Sequence, residues 1–233
     1  MGLGPQWMLR AVPELAAPAA PVSAQAIAAM DWTALAAAAA SCTRCDLCHG
    51  RSSSVFGRGA RDAALIVLGS GPSSFDEAAG APLCGAPGQL LDNMLQAIGL
   101  APPDVYLTNL VKCRAQDRAG AAPTPEQLSA CRPYLERELT LLTQARTLLA
   151  LGQPAAHSLL GSSVPSAALR GAAHRWGALA VVATLHPEDV LKGPAQEPGA
   201  EGMAKNMADA MAEAKAKAWA DLCVLRSAHG AGL

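Results

Sequence analysis

The chain has 233 residues, 51% of them apolar, and a formal net charge of −1. That length suits one α/β domain with tails, or at most two small domains, and the near-neutral balance leaves no global basic footprint for nucleic acid. No secretory pattern opens the chain and no apolar run is long enough to span a membrane. The seven cysteines are therefore expected in a reducing, cytoplasmic setting, where metal or cluster binding is favoured over disulfides.

Residues 1–30 are rich in Ala and Pro and read as a disordered extension, with one domain from 31 to 233. Asp31 is placed to cap a helix from Trp32 to Ala40, and Cys42-Thr43-Arg44-Cys45-Asp46-Leu47-Cys48 follows at once. A polar loop leads to Asp62. Next is a short apolar run, Ala64 to Leu68, preceded by Arg61 and Asp62 and ended by Gly69, which suits a buried strand of a parallel sheet. Gly69-Ser70-Gly71-Pro72 supplies a sharp turn that a ligand can approach closely. The chain is then expected to run as a polar loop through Pro82-Leu83-Cys84-Gly85. Leu90, Leu91, Met94, Leu95 and Ile98 recur at helical spacing, and Gly99 closes that helix.

Val105 to Leu110 reads as a second strand, with Asn109 near its end, and Lys112-Cys113-Arg114 begins a loop. Thr124-Pro125-Glu126-Gln127 has the form of a capping box with Pro in the first turn, so a helix runs from there through Cys131 to about Thr143. Thr147 to Leu151 is a third strand, Pro154 to Leu160 a short helix, and Ala180 to Leu185 a fourth strand that leads into His186-Pro187. After a Gly- and Pro-rich gap, a helix spans Met203 to about Leu225, with Trp219 and Leu222 on its apolar side. Strands mostly separated by helices predict an α/β domain with a parallel sheet and helices on both faces.

Three features carry chemistry. The Gly-Ser-Gly-Pro-Ser-Ser stretch is not a dinucleotide fingerprint: Ser74 stands where the third glycine belongs, Pro72 sits inside the loop, and the loop runs on before any helix. Cys42 and Cys45 form a C-x2-C pair, Cys113 and Cys131 lie far downstream, and Cys48 competes as a ligand. Four cysteines suit either zinc or a [4Fe-4S] cluster, whereas Cys84 and Cys223 read as small buried hydrophobes. Basic residues gather as Arg44, Arg51, Arg58 and Arg61, then as Lys112, Arg114 and Arg118; by count alone these are solvated faces.

Taken together, these pieces resemble the family 4 uracil-DNA glycosylases, the iron–sulfur members of the uracil-DNA glycosylase superfamily. The similarity runs from about Asp31 to Lys192, through CTRCDLC, VFGRG, GSGPS, APLCGAPGQLLDNML, VYLTNLVKCR, PTPEQLSACRPYLERE, LLALGQPAA and LHP, in that order. The resemblance implies a three-layer α/β/α fold around a four-stranded parallel sheet. It also implies a [4Fe-4S] cluster on Cys42, Cys45, Cys113 and Cys131. Substrate would be bound at Gly69, Gly71, Leu83 and Asn109, with Asn109 reading the uracil edge through an amide that both donates and accepts. His186 would donate to uracil O2 as charge develops there. Arg58, Lys112 and Arg114 would lie near phosphates, and Leu191 and Lys192 would occupy the DNA-inserting segment. The partner implied is uracil-containing DNA, single- or double-stranded, met by a monomer without a membrane.

The chain departs from the family pattern at several catalytic positions. Ser70 stands where the family has an acid, and Leu83 where it has an aromatic that stacks on uracil. Ser73 replaces a usual glycine, Ala115 and Gln116 replace two prolines, and Glu188 and Asp189 follow His186-Pro187. The expected activity is therefore a uracil-excising repair glycosylase of weak or altered activity, with Ser70, Asn109 and His186 at its centre and Asp76 or Glu77 as candidate replacement acids. Two alternatives compete. One is a non-catalytic iron–sulfur DNA-binding protein on the same fold, which binds without excising. The other is an iron–sulfur or zinc module unrelated to DNA.

Overall fold

The run Leu65–Gly69 is buried along its whole length, as a strand covered on both faces must be. The computed structural model describes residues 22–101, 104–115, 122–161, 164–192 and 203–230. In chain order the elements are α1 (Ala24–Ala28), α2 (Trp32–Ala40), a 3-10 turn (Asp46–Cys48), β1 (Arg58–Gly59), β2 (Leu65–Gly69), α3 (Ser74–Ala79), α4 (Gly85–Ala97) and β3 (Val105–Asn109). There follow α5 (Pro125–Leu141), β4 (Thr147–Leu151), α6 (Gly152–Leu160), α7 (Ser166–Leu169), β5 (Ala173–Trp176), β6 (Leu179–Thr184), α8 (Pro187–Lys192) and α9 (Met203–Gly230).

The sheet order is β1-β3-β2-β4-β6-β5. Its centre, β3-β2-β4-β6, is parallel, as expected from the four apolar runs. Two antiparallel edge strands bring the sheet to six. Ile66, Leu68, Leu148, Ala150 and Val181 face Leu135, Leu139, Ala155 and Ala156 of α5 and α6. Leu65, Val67, Leu149, Leu151 and Val182 face Leu91 and Leu95 of α4 and Leu222 and Leu225 of α9. The strand period of two thus feeds two cores, and the three-layer arrangement follows.

Several local expectations are corrected. Residues 24–28 form α1 instead of belonging to an extension: Ser23 caps the helix, and buried Ile27 packs with Leu35, Ala39 and Tyr134. The remainder of that expected extension, residues 1–21, lies outside the described residues. A helix, α3, starts immediately after the glycine turn, where a long loop was expected. Ser73 and Asp76 form a reciprocal capping box that nucleates it. On α9, Leu222 is buried as expected but Trp219 is exposed; Asp221 is buried instead and binds the Arg170 guanidinium and the Gly171 amide. No helix among the described residues is long and apolar enough to cross a membrane.

The largest correction concerns Lys112. It is not at the surface: it is 2% exposed, and its ammonium meets fully buried Glu138 of α5. Lys112 Nζ also donates to Thr108 Oγ1 at 2.6 Å and to the Asn109 carbonyl at 3.0 Å. The other Glu138 oxygen accepts from Tyr106 Oη at 2.6 Å. Gly57 must lack a side chain here, because a Cβ would sit 2.2 Å from Tyr106 Oη. Every partner is satisfied, which is what lets ions persist in a core. Replacing Glu138 by Leu strands the ammonium, so unfolding in urea should show a loss of about 3–5 kcal/mol. The double variant Lys112→Met/Glu138→Leu should recover much of that loss; an unchanged midpoint in the single variant would refute the pair's role.

Candidate active site and thiol cavity

All four parallel strands end at one rim, and the chain reverses its direction across the sheet between β2 and β4, the position where open α/β sheets hold ligands. A pocket of about 310 Å³ opens there, lined by Ser70 and Gly71 after β2, Leu83 before α4, Gly152 after β4, and His186 after β6. Gly69 and Asn109, expected in the lining, lie buried at the paired ends of β2 and β3 behind it. Gly69 makes room for Asn109: a Cβ would fall 2.3 Å from Asn109 Oδ1. Asn109 Nδ2 is buried without a hydrogen-bond partner among the described residues. An orphan amide costs about 1–3 kcal/mol and invites a ligand acceptor.

His186 is half-buried at the start of α8, where its carbonyl accepts from Asp189 and Val190 N–H. Its Nδ1 accepts the Glu188 N–H at 3.2 Å, which puts the ring proton on Nε2. Burial holds its pKa below the ordinary value, against the opposing pull of Asp189, Glu188 and Asp76. A neutral imidazole with a free Nε2–H results. Gly152 packs under this ring at φ +77°, with a Cβ there only 3.2 Å from His186 Cβ.

Leu83 is buried and sits at φ +56°, the one left-handed non-glycine among the described residues. Its loop is held from both sides. Arg58 Nε donates to the Pro82 carbonyl at 2.9 Å, and Gly88 lacks the Cβ that would lie 2.0 Å from the Leu83 carbonyl. Such strain persists only where the surroundings fix it. Arg58 is thus a brace for this loop, a role its sequence context did not suggest.

The candidate acids are both engaged. Asp76 lines the pocket and is 4% exposed; one oxygen accepts from Ser73 N–H and the other from Cys84 N–H at 2.6 Å. Glu77 is 7% exposed and turned to the Arg114 guanidinium at 2.9 Å and the Ser52 amide. Burial raises its pKa, but Arg114 and the amides outweigh burial and hold it below the usual range. Arg114 is correspondingly committed to Glu77. Lys192 is exposed and paired with Glu188, one turn back on α8, where Leu191 is half-buried.

A second cavity lies beside the pocket. Cys42, Cys45, Cys48, Cys113 and Cys131 all line it, with Arg44, Arg51 and Lys112 as the cations of its wall. The end of α2, the 3-10 turn, the loop after β3 and the middle of α5 thus meet here. Arg51 donates to Cys113 Sγ at 2.9 Å. Burial pushes the Cys131 thiol up to about 12, with Lys112 pulling it down. Leu47, Val111 and Cys113 line both cavities and form their shared wall. Among the described residues no three His, Cys, Asp or Glu side chains form a group that could hold a metal ion. All seven cysteines are free.

The profile of the uracil DNA glycosylase superfamily matches residues 56–223. A type-4 uracil-DNA glycosylase of Archaeoglobus fulgidus is 34% identical over 162 residues, 66% of this chain and 80% of that protein. One from Thermotoga maritima is 32% identical over 158 residues, 67% and 81% of the two chains. A type-5 uracil-DNA glycosylase of Thermus thermophilus is 35% identical over 118 residues, 45% of this chain and 52% of its own. With a family profile across most of the domain and type-4 relatives over two thirds of the chain, the protein belongs to the uracil DNA glycosylase superfamily, among the type-4 uracil-DNA glycosylases.

Proposed function

We propose that the chain hydrolyses the N-glycosidic bond of uracil in DNA, with low turnover, in a reducing intracellular compartment. The observation that carries this reading is a neutral His186 lining the pocket after β6, with the orphan amide of Asn109 buried at the end of β3 on the same rim of the sheet. The C1′–N1 bond breaks with its electron pair moving onto the base, so negative charge gathers at O2. His186 Nε2–H donates to that oxygen, and being neutral it need not be desolvated as a cation first. Asn109 Nδ2 has an unspent donor for a carbonyl of the base, and its amide oxygen accepts from the base N–H. Water then adds to C1′ and loses its proton.

Ser70 is the weak member. A hydroxyl neither takes that proton well nor stabilises a sugar cation. Asp76 lines the same pocket, but each of its oxygens already accepts a backbone N–H, from Ser73 and from Cys84. Leu83 offers bulk without a π face, so capture of the flipped base should be weaker by a further ~1–3 kcal/mol.

The thiol cavity suits a [4Fe-4S] cluster on Cys42, Cys45, Cys113 and Cys131, with Cys48 the competing ligand. In a cubane each iron takes its own thiolate, and five cysteines lining one cavity with Arg44, Arg51 and Lys112 in its wall can supply four thiolates and offset their charge. Bound there, the cluster supplies a structural cross-link between α2, β3 and α5.

Three outcomes are expected. Anaerobically purified protein should be brown, with about four irons per chain; stoichiometric zinc without iron, or a cluster lost in Cys48→Ala and kept in Cys45→Ala, would overturn the assignment. In single-turnover assays Ser70→Glu should raise excision by roughly 10²- to 10⁴-fold, and His186→Ala should lower it by about 10²- to 10³-fold. A fast wild type that ignores His186→Ala would place the chemistry elsewhere. Because burial lowers the His186 pKa, its ring should titrate by NMR below the ordinary value of 6.5. Its contribution to stability is then complete above 6.5 and is lost as pH falls through the folded-state value. A midpoint above 6.5 would contradict the neutral donor.

A further inference from the structure

We infer that Phe75 is a stacking platform for the base next to the nucleotide held in the pocket, and that the chain therefore favours single-stranded DNA. This rests on the reading of the pocket as a nucleobase site. Phe75 is 69% exposed and lines the pocket mouth, whereas Leu83 is buried at 5%. A lone exposed apolar side chain is ordinary, but this one is held in place. It is the second residue of α3, and the Ser73–Asp76 capping box fixes that turn. Asp76 also binds the Cys84 amide, so the turn cannot swing away from the start of α4. The Phe75 ring lies beside Gly85, where a Cβ would be 3.8 Å from Phe75 Cγ. An aromatic side chain on a braced turn thus stands exposed at the mouth of the pocket.

The charges around the pocket point the same way. A duplex presents one phosphate charge about every 1.7 Å, and proteins hold it chiefly with free Lys and Arg. Here Lys112 is spent on Glu138, Arg114 on Glu77, and Arg58 on the Pro82 and Leu83 carbonyls. Glu188 and Asp189 line the pocket instead. Stacking gives affinity to single strands whatever their sequence, because every base has a π face. In a duplex the neighbouring base is already stacked and paired, so reaching Phe75 requires further unstacking.

The test is equilibrium binding of the full chain, at several salt concentrations, to oligonucleotides bearing one 2′-fluoro-deoxyuridine, which resists cleavage, as single strand and as duplex. Thymine oligonucleotides serve as controls. Wild type should bind the single strand at least about tenfold tighter than the duplex. Phe75→Ala should weaken single-strand binding by roughly 5- to 150-fold with little change on the duplex, Phe75→Trp should retain it, and Trp219→Ala should match wild type. Equal affinity for both forms, or an unchanged single-strand affinity in Phe75→Ala, would overturn the inference. So would an equal loss on both forms, which marks a general surface contact. A wild type that selects uracil but ignores Phe75 refutes this inference alone. One that binds through Phe75 without distinguishing uracil from thymine refutes the proposed activity instead.

Discussion

The buried pair of Lys112 and Glu138 is the constraint on which both halves of the molecule depend. Glu138 belongs to α5, the helix that carries Cys131; Lys112 is next in sequence to Cys113 and holds the Asn109 carbonyl. Lys112 also lines the thiol cavity beside Cys131 and pulls its thiol pKa down. One ion pair therefore ties the thiol cavity to the strand end that presents Asn109. An isolated buried charge is very costly, and this pair is tolerable only because Thr108 and Tyr106 saturate the carboxylate. Such a network tolerates no partial version, so the position of Asn109 is set as firmly as the core itself.

The rim has a different character. Its scaffold is held by glycines that make room for their neighbours: Gly69 for the Asn109 side chain, Gly152 for His186, Gly88 for the Leu83 carbonyl. The groups that would drive hydrolysis hardest are the ones changed. Ser70 brings no charge, and the nearby acids are spent on backbone amides or on Arg114. What remains is recognition and charge stabilisation with a weakened means of activating water. That combination is the basis on which slow excision is proposed.

Much of this was legible in the sequence where the cause is local. The four central strands announce themselves as short apolar runs, three of them ended by or followed by a glycine or His-Pro, and Thr124-Pro-Glu-Gln forms both halves of its capping box as read. The edge strands were not legible: β1 has two residues, and β5 alternates exposed with half-buried positions, so neither shows a buried run. The Ser73–Asp76 box was present but hidden behind a Gly-Pro turn. Lys112 was misread as a surface cation because its partner comes from a distant segment, and the bonds that engage Arg58 and Arg114 likewise reach far along the chain. Nothing local to Lys112 reveals that Glu138 arrives beside it, and nothing in a leucine reveals that Leu83 will be left-handed.

The Asp76 carboxylate has a consequence beyond capping. By gripping the first turn of α3 with one oxygen and the first residue before α4 with the other, it joins two helix starts into a single rigid bracket. A mouth built this way is preorganised: it does not have to be frozen when a strand arrives, so little of the binding energy is consumed in ordering it. Discrimination then comes from shape that exists beforehand rather than from closure around the ligand. Unsuitable strands should be turned away at first encounter, before any commitment to chemistry.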